Sequence, residues 1–197
     1  MVIGILALQG AFLEHGKMLD ALGVEHRELR NEADLQKPFD ALIIPGGEST
    51  VMGKLLNDLH MTQQLQTRIR AGLPVFGTCA GMILLASDIV DSRTRHLATM
   101  DISVQRNAYG RQLGSFSSVS AFDQNNEIPM TFIRAPLIRA AGADVKLLAF
   151  VDGNIVAAQQ GNQLVTAFHP ELTNSTSVHQ YFLNLVKVHL QLRGILE

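Results

Sequence analysis

Short apolar runs alternate with helical stretches over the first half of this 197-residue chain. The predicted strands are Val2–Leu8, Val24–Leu29, Ala41–Ile44 and Pro74–Gly77, and the predicted helices are Ala11–Leu22, Ser49–Leu59, Met61–Ala71 and Met82–Ala86. Buried strands that alternate with helices form parallel β-α-β units, with helices on both faces of an open sheet. We therefore predict a doubly wound α/β fold.

The pattern changes in the second half, where strand candidates follow one another without long helices. They are Ile102–Gln105, Phe116–Ala121, Thr131–Ile133, Leu147–Phe150, Ile155–Ala158 and Leu164–Phe168. Turn residues at 152–154 and 161–162 favour hairpins between the last three. Antiparallel strands are thus expected to extend the parallel core, before an amphipathic helix at Val178–Leu192. No linker or repeat interrupts the chain, so residues 1–197 are predicted to form one domain.

The composition narrows the classes of function. A net charge of -2 without a basic stripe argues against nucleic-acid binding. No apolar run reaches the roughly 18 to 20 residues that a membrane helix needs. The apolar start lacks the basic residues of a signal peptide, and the single cysteine excludes an internal disulfide. We expect a cytoplasmic protein with no membrane or nucleic-acid partner.

The single cysteine lies in the segment Gly77-Thr-Cys79-Ala-Gly81, between a predicted strand and a predicted helix. This is the G-x-nucleophile-x-G pattern of a nucleophile elbow, with cysteine in place of serine. The turn is sharp, so its neighbours must be small, and Gly77, Ala80 and Gly81 meet that condition. The elbow is expected to expose the sulfur, with the Ala80 N–H placed to stabilise an oxyanion. A lone cysteine is more often a small buried hydrophobe, so a second element is needed.

That element is Phe168-His169-Pro170-Glu171, at the end of a predicted strand. A cysteine nucleophile needs an imidazole to move its proton, and the imidazole needs an acceptor that fixes its tautomer. We predict that Cys79, His169 and Glu171 form a catalytic triad. The other histidines lack metal-ligand spacing and are expected to be solvated or to pack: His15, His26, His60, His96, His179 and His189.

These residues resemble the triad of the class I glutamine amidotransferases and, more narrowly, the glutaminase subunits of pyridoxal 5′-phosphate synthase. Motifs along the whole chain are similar: Leu8-Gln9-Gly10, Pro45-Gly-Gly-Glu-Ser-Thr50, Gln105-Arg-Asn107, Gly110-Arg-Gln112, Phe132-Ile-Arg-Ala-Pro136 and His169-Pro-Glu-Leu-Thr173. The segment Asn174-Ser-Thr-Ser177 departs from the pattern, which expects charged residues there. The departure leaves the triad intact and concerns only helix capping and a partner contact.

The resemblance implies that glutamine is the substrate and that the partner is a synthase subunit, in the synthesis of vitamin B6. It implies glutamine contacts at Gly47, Glu48, Ser49, Arg106, Ile133 and Arg134. The Gly47 N–H is expected to complete the oxyanion hole, and the Arg106 fork suits a carboxylate. Without the resemblance, Gly46-Gly47 would be a plain turn and Arg106 would belong to a surface ion pair.

The expected reaction is attack of the Cys79 thiolate on the glutamine side-chain amide, through a glutamyl thioester, and it needs no metal or cofactor. Three alternatives stay open. They are the glutaminase of another amidotransferase such as imidazole glycerol phosphate synthase, a cysteine hydrolase on the same fold, and a non-catalytic flavodoxin-like binding module. Ammonia released into water is lost, so the isolated chain is expected to be a poor glutaminase that its partner activates.

Overall fold

A computed structural model describes residues 1–108, 114–123 and 126–195, so the predicted motif at Gly110–Gln112 lies outside the described residues. The described strands are β1 (Val2–Leu6), β2 (Glu25–Leu29), β3 (Ala41–Ile44), β4 (Val75–Thr78), β5 (Ala86–Ile89), β6 (Met100–Gln105), β7 (Ser115–Phe122), β8 (Asn126–Ile133), β9 (Leu137–Ala141), β10 (Lys146–Val151), β11 (Asn154–Gln160) and β12 (Gln163–Thr166).

The described α-helices are α1 (Phe12–Ala21), α2 (Ser49–Asp58), α3 (Thr62–Arg70), α4 (Ala80–Leu85) and α5 (Ser177–Leu192), with 3-10 turns at Glu32–Gln36 and Pro170–Leu172. Gly23 and Gly72 follow α1 and α3 with φ of 66° and 101°. An L side chain rarely adopts this left-handed conformation, so each glycine ends its helix, as the sequence predicts. No helix in the described part of the chain combines the length and the apolar character that a bilayer crossing requires.

The main sheet has the strand order β2-β1-β3-β4-β12-β11-β9-β6-β5, with β10 paired to β11. The five strands from β2 to β12 are parallel to their neighbours, whereas β11 runs antiparallel to both β12 and β9. The prediction of a parallel core extended by antiparallel strands is therefore confirmed. Strands β7 and β8 form a separate antiparallel hairpin.

The helices lie in two groups. α1 and α5 meet through His15 and His179, while α2 contacts α4. The chain moves from β1 to β2 in one direction along the sheet and from β3 to β4 in the other. Right-handed crossovers in opposite directions place their helices on opposite faces, which accounts for the two groups.

Two strands, β5 and β9, were not predicted from the sequence. β5 directly follows α4 with no turn residue between them, so no break marks its start. β9 alternates poorly, since it begins with buried Leu137 and Ile138 and continues with exposed Arg139. β8 also begins earlier than expected, because its Pro129 is tolerated in a strand that is paired on one side only.

The parallel strands bring four loops to one edge of the sheet. The carboxyl ends of β1, β3, β4 and β12 lie side by side, because Thr166 of β12 is in register with Thr78 of β4. The Cys79 N–H donates to the Thr166 carbonyl at 2.8 Å. This edge therefore places the segment that follows β12 beside the cysteine.

Candidate active site

Cys79 occupies a strained turn between β4 and α4. Its φ is 47° and its ψ is -99°, a conformation that is uncommon for a residue with a Cβ. A Cβ on Gly81 would come within 2.1 Å of the Ile44 carbonyl oxygen, and one on Gly77 within 2.7 Å of the Gly81 backbone. The elbow thus requires small neighbours, as the sequence indicates. The expectation of an exposed sulfur is wrong, since only 6% of Cys79 is exposed and it faces a cavity.

His169 is held beside Cys79 by backbone and side-chain contacts. Its N–H donates to the Thr131 carbonyl of β8 at 2.8 Å, and its Nδ1 lies 2.7 Å from Glu171 Oε1. Pro170 starts the 3-10 turn that brings Glu171 back under the ring. The Glu171 side chain is fully buried, so the structure joins imidazole and carboxylate in the predicted geometry.

The environment of His169 favours its charged form. Burial alone would lower the pKa of His169, but hydrogen bonds with Cys79 and Glu171, together with their charges, raise it to about 10. The ring is therefore an imidazolium at neutral pH, in contact with the sulfur on one side and the carboxylate on the other. Such a ring can give a proton to a departing amine and, once neutral, take one from water.

A cavity of about 320 Å³ opens above the sulfur. Its lining includes these predicted site residues: Gly47, Glu48, Ser49, Cys79, Arg106, Ile133, Arg134 and His169. Glu171 lies behind the His169 ring, and Ala80 begins α4 beneath the sulfur. The structure thus brings the predicted triad and glutamine-binding residues around one small cavity.

The Gly46-Gly47 turn packs too closely for side chains. A Cβ on Gly46 would come within 2.2 Å of the His169 ring, and one on Gly47 within 2.4 Å of Gln9 Oε1. The Gly46 carbonyl accepts from the Ala11 N–H at 3.0 Å, and Gln9 Oε1 accepts from the Glu48 N–H at 2.7 Å. Two hydrogen bonds therefore connect this turn to the loop that follows β1.

Glu48 has a structural role that the sequence interpretation missed. Its carboxylate accepts from the Thr50 and Val51 N–H groups at 3.1 and 2.9 Å and so caps α2. Partial burial would raise the pKa of Glu48, but these hydrogen bonds and the nearby Arg106 charge lower it below its usual range. An ionised Glu48 at the rim gives the cavity a negative group near the positive one of Arg106.

Arg106 is exposed at the cavity and forms no salt bridge with any described residue. Its Nη1 lies 3.4 Å from Thr50 Oγ1, at the start of α2. The surface ion pair considered from the sequence is thus not formed with any acidic residue in the described part of the chain. The guanidinium keeps donors available for an anionic group in the cavity.

The backbone after β8 forms the opposite wall. The Ile133 carbonyl oxygen lies 4.0 Å from Cys79 Sγ, and Arg134 has a φ of 43°. The Arg134 N–H donates to the Gly114 carbonyl at 2.6 Å. The Ile133 carbonyl therefore faces the sulfur, and the strained turn at Arg134 continues the same wall of the cavity.

Several residues that line the cavity or lie behind it have no site role predicted from the sequence, among them Gln9, His15 and His179. Gln9 lines the cavity at the end of β1, and its signal was the motif Leu8-Gln9-Gly10 after a first strand. His15 and His179 are fully buried behind Glu171. They were expected to be solvated or to pack, and no local motif marks their meeting, because 164 residues separate them.

Comparisons with known proteins identify the family of this chain. The family model described as "SNO glutamine amidotransferase family" matches residues 5–188. The chain is 58% identical over 190 residues to "Pyridoxal 5'-phosphate synthase subunit PdxT" of Streptococcus pneumoniae (strain CGSP14), covering 95% of this chain and 98% of that one. It is 55% identical over 191 residues to the protein of that name from Haemophilus influenzae (strain PittEE), covering 95% and 100%.

Solved structures share the fold. One described as "Crystal structure of glutamine amidotransferase" superposes with a TM-score of 0.90 at 41% identity, covering 95% of this chain and all of that one. A glutamine amidotransferase from Thermotoga maritima has a TM-score of 0.61 at 15% identity, covering 98% of this chain and 85% of that one, which shows a common fold. With a family model that spans residues 5–188 and relatives identical at more than half of the aligned positions, the chain belongs to the SNO glutamine amidotransferase family.

Proposed function

We propose that this chain is the glutaminase subunit of a pyridoxal 5′-phosphate synthase. It hydrolyses L-glutamine to L-glutamate and ammonia in the cytoplasm and passes the ammonia to a synthase subunit. The family and the name of its relatives support this assignment. The observation that carries it is the alignment of Cys79, His169 and Glu171 at one small cavity.

The reaction begins when the Cys79 thiolate attacks the side-chain amide carbon of glutamine and the carbonyl oxygen becomes an oxyanion. The N–H groups of Gly47 and Ala80 stabilise that charge. Imidazolium His169 protonates the amide nitrogen as the C–N bond breaks, so ammonia leaves and a glutamyl thioester remains. His169 then takes a proton from water, the hydroxide attacks the thioester, and glutamate leaves as the thiolate re-forms.

The cavity wall supplies the groups that hold a free amino acid. Arg106 binds the α-carboxylate, since its guanidinium is exposed at the cavity and outside any salt bridge among the described residues. The negative charge of Glu48 lies on the side where the α-ammonium group would sit. Ser49 and the backbone at Ile133 and Arg134 complete the binding site. A binding site for both charged α-groups favours glutamine over a peptide.

The test is to purify the chain in complex with its synthase partner and to measure glutamate release from glutamine and from glutamine-containing peptides. We expect turnover of free glutamine and none of the peptides. Turnover of peptides alone would favour the cysteine hydrolase, and turnover of neither would favour the binding module.

The partner is tested by replacing the synthase subunit with the synthase subunit of imidazole glycerol phosphate synthase. Glutamine-dependent formation of pyridoxal 5′-phosphate with the first subunit supports the proposal. Glutamine-dependent activity only with the second would assign the chain to the other amidotransferase.

A further inference from the structure

Two buried histidines lie directly behind the carboxylate of the triad. His15 of α1 and His179 of α5 are both fully buried, and His15 Nδ1 lies 2.9 Å from His179 Nε2. The other nitrogen of His15, Nε2, lies 3.2 Å from Thr78 Oγ1 and 3.6 Å from Glu171 Oε2. A line of contacts therefore runs from α5 through α1 to Glu171.

The two carboxylate oxygens of Glu171 differ in their hydrogen bonding. Its Oε1 is 2.7 Å from His169 Nδ1, but its Oε2 is buried without a hydrogen-bond partner within 3.5 Å among the described residues. A buried carboxylate oxygen with no donor destabilises the charged form of the group. The His15 Nε2 position is the place from which a donor can reach this oxygen.

The two histidines are neutral at neutral pH. Burial, with the charges of His179 and His169, lowers the pKa of His15 well below its usual value. Burial lowers the pKa of His179 to about 4. The aromatic ring of Phe76 packs in a T-shaped arrangement against both imidazoles. The 2.9 Å distance between the two rings' nitrogens leaves no room for water between them.

Two neutral imidazoles at 2.9 Å share one proton, and this fixes both tautomers together. If His15 carried its proton on Nδ1, the lone pair on Nε2 would face a carboxylate oxygen and repel it. His179 would also bury an N–H on Nδ1, which has no partner in the described structure. The opposite arrangement gives both rings an Nε2–H, so His179 donates to His15 and His15 donates towards Thr78 and Glu171.

We propose that His15 is a positioning residue of the triad, whose Nε2–H, oriented by His179, holds the Glu171 carboxylate ionised and turned towards His169. The inference rests on the triad of the proposed function. Besides each other, the titratable groups that face the two histidines in the described structure are Glu171 and His169, with Cys79 beyond the His169 ring.

The loss of this donor has a defined chemical effect. Without the Nε2–H, no donor stabilises the negative charge at Glu171 Oε2, so the charged carboxylate that supports imidazolium His169 becomes less favourable. The acid limb of the kcat/KM profile therefore moves to higher pH. The rate at neutral pH falls roughly 10- to 100-fold, the range expected when a buried charged group loses a hydrogen-bond donor.

Two amide substitutions test the roles of the two ring nitrogens of His15 separately. In His15→Gln, the side-chain nitrogen is as far along the chain as Nε2, so a donor towards Glu171 is kept. In His15→Asn, the side-chain oxygen can take the Nδ1 position and accept from the His179 Nε2–H, so the contact with His179 is kept and the donor towards Glu171 is lost. We expect His15→Gln to retain most of the kcat/KM and the acid limb of the unchanged protein. His15→Asn should show both the loss and the shift of the acid limb to higher pH.

The measurements use the chain in complex with its synthase subunit, with glutamate release followed across pH. Leu19→Ala, at a fully buried position four residues along the same helix, controls for lost stability, and it should leave the acid limb in place. In a Glu171→Gln background the further change to His15→Asn should have no additional effect, because no carboxylate remains to be held. Equal profiles for His15→Gln and His15→Asn would overturn the proposal.

A second measurement does not depend on the folding of any variant. Nitrogen-15 chemical shifts of labelled histidines in the unchanged protein report which ring nitrogen carries the proton. We expect the Nε2–H tautomer for both His15 and His179, and an Nδ1–H tautomer at His15 would overturn the proposal. If the unchanged complex released no glutamate, the proposed function would fail, while the tautomer measurement would still decide the role of His15.

Discussion

Cys79 combines a strained backbone with a nearly buried sulfur, and both properties bear on its replacement. Cys79→Ala keeps a Cβ, so the strain at φ 47° is unchanged, and the loss of one buried sulfur costs about 1 kcal/mol. We expect glutamine hydrolysis to fall by at least about 10⁴-fold, because no nucleophile remains. The assay is glutamate release in the synthase complex, with thermal unfolding as the control for folding. A folded variant with near-normal turnover would refute the role of Cys79.

We expect His169 to contribute more to the catalytic rate than Glu171. His169→Ala removes the group that carries the proton, whereas Glu171→Gln removes only the charge that supports it. By comparison with another triad, the losses in kcat should be about 10⁶-fold and about 10⁴-fold. Turnover at saturating glutamine measures both. A milder effect of His169→Ala would mean that the roles are wrongly assigned.

Arg106 is expected to act on binding. Arg106→Ala removes a charge-assisted contact worth about 1.5 to 3 kcal/mol, so KM for glutamine should rise roughly 10- to 150-fold while kcat changes little. The matched control is Arg95→Ala, an arginine that pairs with Asp88 outside the cavity. Steady-state kinetics of the complex measures KM and kcat for both variants. Unchanged kinetics in Arg106→Ala would remove this residue from the binding site.

Some residues of the site can be predicted from the sequence and others cannot. Cys79 and His169 each follow a buried strand in a short motif, so a local pattern is enough to predict that they meet. His15 and His179 carry no such pattern, because their contact arises only when α1 packs on α5. Glu48 was expected near the start of a helix as a ligand contact, and its capping of α2 was missed because glutamate is not among the usual N-cap residues.

At the scale of elements, the turn at Gly46-Gly47 depends on close packing. In Gly46→Ala, the new Cβ would meet the His169 ring at 2.2 Å, and the ring or the turn must shift. A displacement of about 1 Å in a catalytic group costs on the order of 10²-fold in rate, and we expect at least that loss in kcat. Gly114→Ala is the control, because a Cβ there meets no atom of the described residues within 4 Å. Similar kcat values for the two variants would show that the turn tolerates a side chain.

The boundaries of helices and strands were predictable where glycine or other turn residues interrupt the sequence. Glycines end α1 and α3, and turn residues separate β10, β11 and β12, so these boundaries follow from local conformational preference. β5 and β9 have no such breaks, and β9 has neighbours in the sheet that are distant in sequence. It pairs with β6 and β11 on either side, an arrangement that only the tertiary fold specifies.

At the scale of the whole molecule, one edge of the sheet carries both the proposed active site and a surface where a partner can dock. The loops after β1, β3, β4 and β12 hold the proposed catalytic groups, and the same loops lie at the surface where a partner can dock. Gly47 and Glu48 line the cavity and are also exposed. That residues 1–197 act as one glutaminase domain stays a prediction.

The last prediction concerns activation by the synthase subunit. The Gly46 carbonyl and the Gly47 N–H belong to one peptide group, which the loop after β1 holds through the Ala11 N–H at 3.0 Å. Gln9 holds the next peptide through the Glu48 N–H at 2.7 Å. A partner that docks on Gln9-Gly10 and Pro45–Ser49 can therefore turn the Gly47 N–H into the oxyanion hole, at low cost for a glycine peptide.

One oxyanion donor is worth on the order of 10² to 10³ in rate, so the synthase subunit should activate glutamine hydrolysis by about that factor. The measurement is glutamate release by the chain alone and with a saturating amount of synthase subunit. The Cys79→Ala complex is the control and should release none, which excludes a contaminating glutaminase. Because the donor acts on the transition state and not on bound glutamine, the gain should appear in kcat with little change in KM. Equal kcat with and without the synthase subunit would mean that the oxyanion hole is already complete in the free chain.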